Sequence, residues 1–177
     1  MGMGDVLPFA RGTYQSGTGL LGEEYWDSVN RQKVKVVKNT DGAALTAGRV
    51  AVWEDYSAFA VDYADTSTDS PNVAGVVDPK LASTVPVNSD FYVVIEGLVT
   101  LQVGSGAHST AAGGLVMVDD AKSGTIAGIR TSVTTVVTTG LLQAGRLARY
   151  GFAVAQAAAG DKAAGAEKVE CKLCLRK

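Results

Sequence analysis

Residues 91–103 read FYVVIEGLVTLQV. The odd positions of this run are all apolar or glycine, and its even positions include Tyr92, Glu96 and Gln102. This alternation predicts a long β-strand with one face in a core and the other towards water or a partner. Gly97, in the middle of the run, predicts a bulge or a sharp bend of the kind that closed barrels use at corners.

Shorter runs with strand character occupy much of the remaining chain. Val34 and Val36 alternate with two lysines, as in a half-buried strand. The other predicted strands lie at 49–53, 58–64, 73–77, 115–118, 125–129, 131–139, 150–155 and 169–176. Glycines and turn residues separate these runs, and stretches that favour a helix are scarce. The sequence therefore predicts an all-β fold, a β-barrel or β-sandwich of short strands.

The strand-rich part of the chain contains a weak internal repeat. Residues 46–55 and 111–120 both read as small residues, a turn glycine, an apolar strand and two acidic residues. We therefore predict two weakly related β modules, at about 33–103 and 106–177.

The first 30 residues differ from the rest of the chain. They are rich in glycine, lack sustained alternation and end in a cluster of large apolar side chains: Leu20, Leu21, Tyr25 and Trp26. We predict a flexible or extended N-terminal arm (1–30) ahead of a single β domain (31–177). Such an arm either docks against another chain or folds back to cap its own barrel, and both alternatives stay open.

A fifth candidate contact residue lies in the β domain. Trp53 has the opposite strand parity to Val50 and Val52, which predicts that its ring lies on the outer face. Exposed aromatic side chains are frequent anchors of protein interfaces. The predicted inter-subunit contact residues are therefore Leu20, Leu21, Tyr25, Trp26 and Trp53.

Residues that could carry catalysis or bind a metal are few. The one histidine, His108, follows the long strand in a polar turn, and no triad can be inferred from its sequence neighbours. Cys171 and Cys174 form a C-x-x-C pair, but residues three apart on a strand point to opposite faces and cannot share a metal. We predict reduced thiols, no catalytic residue, no metal and no cofactor, and therefore no enzyme.

Two further patterns have structural explanations. The glycines from Gly17 to Gly22 match G-x-G-x-x-G, but no strand precedes them as a dinucleotide site requires. The recurring carboxylates are expected in solvated turns rather than at a sugar cleft or a calcium site: Asp62, Asp65, Asp69, Asp119 and Asp120.

Charge and hydropathy exclude two classes of partner. The net charge is −2 and the basic residues are scattered, whereas nucleic-acid binders usually carry a basic patch. No apolar run approaches the roughly 20 residues that cross a bilayer, so we predict no membrane segment. The first residues lack the pattern of a secretory signal, and we expect synthesis in the cytoplasm.

An ordered set of short marks from about residue 33 to the C-terminus resembles the capsid decoration, or cement, proteins of tailed bacteriophages. The marks are Ala47-Gly48, Ala74-Gly75-Val76, the strand 93–101 with Glu96-Gly97 at its centre, Ala112-Gly113, Gly151-Phe152-Ala153, Ala159-Gly160-Asp161 and 169–173. The chain departs from the family in a longer loop in its first module, and residues 1–30 match no family pattern.

This resemblance implies a virion protein on the outer surface of the capsid. It would bind the major capsid protein, bridge neighbouring subunits of the shell and act as a homo-oligomer, with a trimer favoured. The alternative is a carbohydrate-binding or adhesion module of a head or tail fibre, which would present exposed aromatic rings as a platform for sugars.

Overall fold

A computed structural model describes residues 6–63, 72–102, 116–118, 126–128, 155–156 and 168–174 of the chain. These residues form strands and turns without an α-helix, which confirms the predicted all-β fold. The strands are, in chain order, β1 (Glu24–Asp27), β2 (Gln32–Asn39), β3 (Val50–Asp55), β4 (Ala60–Tyr63), β5 (Val73–Val77), β6 (Asp90–Gln102), β7 (Val116–Val118), β8 (Ile126–Gly128), β9 (Ala155–Gln156) and β10 (Lys168–Cys174).

Five strands form a closed ring in the order β2-β4-β3-β5-β6, and β6 pairs again with β2. The β2–β4 pairing is parallel and the others in the ring are antiparallel. A sheet closed in this way is a small barrel, one of the two architectures that the sequence left open. β1 adds to β2 outside the ring, and β10 extends the sheet from the second half of β6.

Strand β6 changes its pattern of facing residues at a bulge. Lys33 lies opposite Glu96 while Val34 lies opposite Val94, so Ile95 is the extra residue. Gly97 follows with a φ of 114°, a conformation that strongly favours glycine. The predicted bulge therefore lies two residues before Gly97, and the glycine accommodates the bend.

The prediction of one apolar face for β6 is wrong before the bulge. Tyr92 and Val94, at even positions, are fully buried, as are Phe91 and Val93 at odd positions. Both faces of this half-strand are covered, because one faces the inside of the ring and the other faces a second core. Simple alternation applies only to a strand with one face in solvent.

The inner core fills the ring. Side chains from all five ring strands meet in it, together with two connecting loops: Val37, Leu45, Ala51, Val61, Ala74, Val77, Leu81, Val85, Phe91, Val93 and Ile95. Leu45 and Val85 exchange backbone hydrogen bonds of 3.0 and 2.7 Å, and these bonds hold the two loops together at the end of the ring where β3 and β6 begin.

The outer core lies on the other face of the sheet. Its buried members are Phe9, Val34, Val36, Val50, Val52, Val76, Tyr92, Val94, Val99, Leu101 and Leu173. Leu173 lies on β10, opposite Gly97, so the bent half of β6 and its neighbour β10 contribute to this core. Burial on both faces gives this short sheet more apolar contact than a single layer would allow.

Residues 6–30 lie on the sheet of the same chain, the second of the two arrangements that the sequence left open. Phe9 stacks on Tyr92 with ring centroids 4.2 Å apart. Gln15 exchanges two backbone hydrogen bonds with Asp90, of 2.9 and 2.7 Å. The predicted boundary after residue 30 falls in the turn of the β1–β2 hairpin, so this segment is continuous with the barrel.

The predicted strands at 115–118 and 125–129 contain β7 and β8, which pair with each other. The relation between the two modules stays a prediction. Several predicted features lie outside the described residues: His108, Asp65, Asp69, Asp119, Asp120, the strand 131–139, most of 150–155, and the marks at 112–113, 151–153 and 159–161.

Candidate functional site

Four of the five predicted contact residues pack on the chain itself, three of them against the outer core. Leu20, Leu21 and Tyr25 are partly buried against the outer core, and Tyr25 meets the ring of Tyr92 edge-on at 6.4 Å. Trp26 lies on the opposite face of β1 and is 45% exposed. The two sides of a short strand therefore separate Tyr25, which covers the core, from Trp26, which faces outward.

Trp26 belongs to a partly exposed surface, here called the hairpin face, formed by Glu24, Trp26, Lys33, Lys35, Glu96 and Leu98. Trp26 lies opposite Lys33 on β2, and Lys33 lies opposite Glu96 on β6. Cross-strand partners share a face, so these three side chains stand in one row across the sheet. Leu98, two residues beyond Glu96, is 51% exposed.

Glu24 organises the two lysines of the hairpin face. Its carboxylate lies 2.6 Å from the Nζ of Lys33 and 3.0 Å from that of Lys35. Lys35 was expected on a solvated face, but it is only 5% exposed. The ammonium group tolerates burial because it is paired with Glu24 and lies 5.6 Å from the centroid of the Trp53 ring.

Trp53 itself is partly buried rather than on an open outer face. Parity does place it opposite Val50 and Val52, but its face of β3 is the one that carries the inner core. Its ring packs edge-on against Tyr56 at 5.1 Å and against Phe59 at 6.4 Å. Tyr56 is the open member of this aromatic group, with 58% exposure.

A buried ionic network holds the N-terminal segment to the sheet. Arg11 binds Asp78 through two nitrogens, at 2.9 and 2.8 Å, and binds Asp27 at 2.7 Å and the Gln32 side chain at 3.0 Å. Side-chain exposure is 6% for Arg11, 5% for Asp27 and zero for Asp78. Asp78 also accepts a hydrogen bond from the Gly12 amide. We call this network the Arg11 clasp.

The clasp also fixes the hairpin tip, defined here as residues 27–31. The Asp27 carboxylate accepts hydrogen bonds from the backbone amide and the side-chain amide of Asn30. Burial acts to raise the pKa of Asp27, but the hydrogen bonds from Asn30 and the charge of Arg11 outweigh it and hold that pKa below its usual value. Asp27 is therefore an ionised anchor for the turn.

The hairpin tip presents two unusual residues to solvent. Val29 is 88% exposed. Arg31 is exposed and has a φ of 53°, a left-handed conformation that is rare for a long side chain. Arg11, Asp78, Val29 and Arg31 are not among the residues that the sequence pattern singled out. The Asp-Ser-Val-Asn stretch at 27–30 has turn composition, and this was the only local signal for the tip.

The glycine motif and the cysteine pair lie beside or on strands. The G-x-G-x-x-G stretch is followed by strand β1 rather than by the helix of a dinucleotide site. Cys171 and Cys174 both lie on β10, as the prediction of a strand required. Within the described ranges, no three His, Cys, Asp or Glu side chains are grouped so as to hold a metal ion. The same ranges contain no helix long and apolar enough to cross a bilayer.

No protein-family model matches this chain, and no curated protein matches it. Functional inference therefore rests on the residues and on the geometry of the hairpin face.

Proposed function

We propose that this chain is a structural virion protein that binds the outer surface of a phage head and cements neighbouring major capsid subunits. The observation that carries the proposal is the ordered set of family marks between residue 33 and the C-terminus. The all-β fold agrees with it, and so does a rigid hairpin that presents Trp26 and Val29 outward.

Cementing a shell is a mechanical task that contact alone can perform. Trp26, Val29 and Leu98 are large apolar side chains with 45%, 88% and 51% exposure, and they lie on or beside the β1–β2 hairpin. Tryptophan is one of the residues that carry most of the binding energy in protein interfaces, and apolar neighbours such as Val29 and Leu98 exclude water around it. A trimer would present three such ends at once, and its avidity would exceed the affinity of a single contact.

Co-sedimentation of the purified protein with undecorated phage heads tests this proposal. Saturable binding at a fixed ratio to the capsid subunits is the expected result. Light scattering on the free protein gives the mass of the oligomer, for which a trimer is expected. A soluble monomer that does not sediment with heads would refute the cement function.

The aromatic group on the β3–β4 hairpin favours a second candidate, a carbohydrate-binding or adhesion module. The Tyr56 ring is open, and Asp55 stiffens its loop by accepting hydrogen bonds of 2.8 and 2.7 Å from Ser57. A glycan array with the wild type, Tyr56→Ala and Tyr14→Ala tests it. Binding that Tyr56→Ala abolishes and Tyr14→Ala retains would favour this candidate, because Tyr14 is an exposed tyrosine outside the group.

A further inference from the structure

The hairpin tip carries one exposed cation, Arg31, and one buried carboxylate, Asp27, which is paired with Arg11. On the adjoining hairpin face, Lys33 and Lys35 are matched in number by Glu24 and Glu96, and both lysines bind Glu24. Arg31 comes in addition to these four. Within the described part of the chain, no ion pair or hydrogen bond engages its guanidinium group.

The backbone at Arg31 is held in a conformation that costs free energy for any side chain. Its φ is 53°, where glycine would be unstrained. Residues held in strained backbone conformations are concentrated at functional sites of proteins. The residue that keeps its side chain here is exposed and cationic, and it lies two positions from Val29, which is 88% exposed.

The tip is also built to stay rigid. Asp27 accepts two hydrogen bonds from Asn30 and an ion pair from Arg11, whose own side chain is 6% exposed. The start of β2 is fixed to β6 as well, because the Gln32 side-chain amide donates a hydrogen bond to the Leu98 carbonyl. A rigid loop loses little conformational entropy on binding, so its contacts convert more fully into affinity.

We infer that the hairpin tip is the docking element of this protein, and that Arg31 pairs with a carboxylate of the major capsid protein beside an apolar pocket that receives Val29 and Trp26. The inference rests on the proposed function, and it adds the chemistry of the partner surface. Arginine suits this role because its planar group binds a carboxylate through two parallel hydrogen bonds.

The test compares two substitutions that make the same change to the backbone. Arg31→Gly and Asn88→Gly each replace an exposed residue of left-handed φ (53° and 62°) by glycine. Asn88 lies two residues before the start of β6, at the end of the ring opposite to the hairpin tip. Both variants should keep the wild-type melting temperature or exceed it, because glycine relieves strain at either position.

Co-sedimentation with undecorated phage heads should then separate the two variants. Arg31→Gly should bind at least about 10-fold more weakly than the wild type, and Asn88→Gly should bind as the wild type does. Arg31→Lys should fall between, since it keeps the charge without the planar group. Wild-type binding by Arg31→Gly would overturn this inference alone, whereas a wild type that does not bind heads would overturn the proposed function and the inference with it.

Discussion

Replacing Arg11 by methionine should destabilise the whole domain. The substitution keeps the length of the side chain but removes four bonds of 2.7–3.0 Å to Asp78, Asp27 and Gln32. It also leaves Asp78 fully buried and Asp27 nearly so, each without its cation. Removing one partner of a buried ion pair costs about 3–5 kcal/mol.

Urea unfolding followed by tryptophan fluorescence measures this loss. With a denaturant slope of about 2 kcal/mol per molar urea, the midpoint of Arg11→Met should fall by about 1.5–2.5 M. The matched control adds Asp27→Asn and Asp78→Asn to Arg11→Met. It should recover part of the lost stability, because no carboxylate is then buried without a cation, while one of the two hydrogen bonds that each carboxylate accepts from Asn30 or from the amides of Gly12 and Lys80 is lost. A midpoint equal to that of the wild type for Arg11→Met would refute the structural role of the clasp.

The pH dependence of the same variant gives a second check. The pKa of Asp27 is lowered in the folded protein, so its stabilising contribution is present above the unfolded pKa of about 3.9 and is lost as the pH falls through the folded pKa. The difference in unfolding free energy between the wild type and Arg11→Met should therefore be largest near neutral pH and should shrink below about pH 4. A difference that stays constant from pH 3 to pH 7 would contradict this account.

Three further substitutions are measured by urea unfolding. Burial and a hydrogen bond with Asp41 raise the pKa of Asp62 to about 6, so its ionisation opposes folding as the pH rises from 4 to above 6. Asp62→Asn should therefore be more stable than the wild type by about 1–2 kcal/mol at pH 8, with no difference at pH 4; an equal midpoint at pH 8 would contradict this. Gly22→Ala should lose about 2–3 kcal/mol, because φ is 87° and a Cβ there would overlap the ring of Phe59. Gly17→Ala, with a φ of 64° and open space around it, should lose only about 1 kcal/mol, and equal losses would rule out the overlap.

The sequence pattern predicted the positions of several strands correctly. The strand at 73–77 has the bounds that the sequence indicates, and β2 and β10 lie at the predicted alternating runs. Trp26 was selected as a large apolar residue in a stretch without its own pattern, and it is 45% exposed; its contact with another chain stays a prediction. Tyr25, its neighbour, was selected for the same reason and packs on the outer core.

Local sequence patterns were enough to predict the all-β class, the alternating strands and a bend near Gly97, because period-two alternation and turn residues act over a few positions. Three features come from long-range contacts instead: both faces of β6 are buried up to the bulge, Lys35 is buried beside Glu24, and Arg11 binds Asp78, 67 residues away. Those outcomes depend on which surfaces meet when the ring closes and the N-terminal segment covers it. From the sequence alone a charged residue is expected to face solvent. Its burial is tolerated only where the fold brings an oppositely charged group next to it.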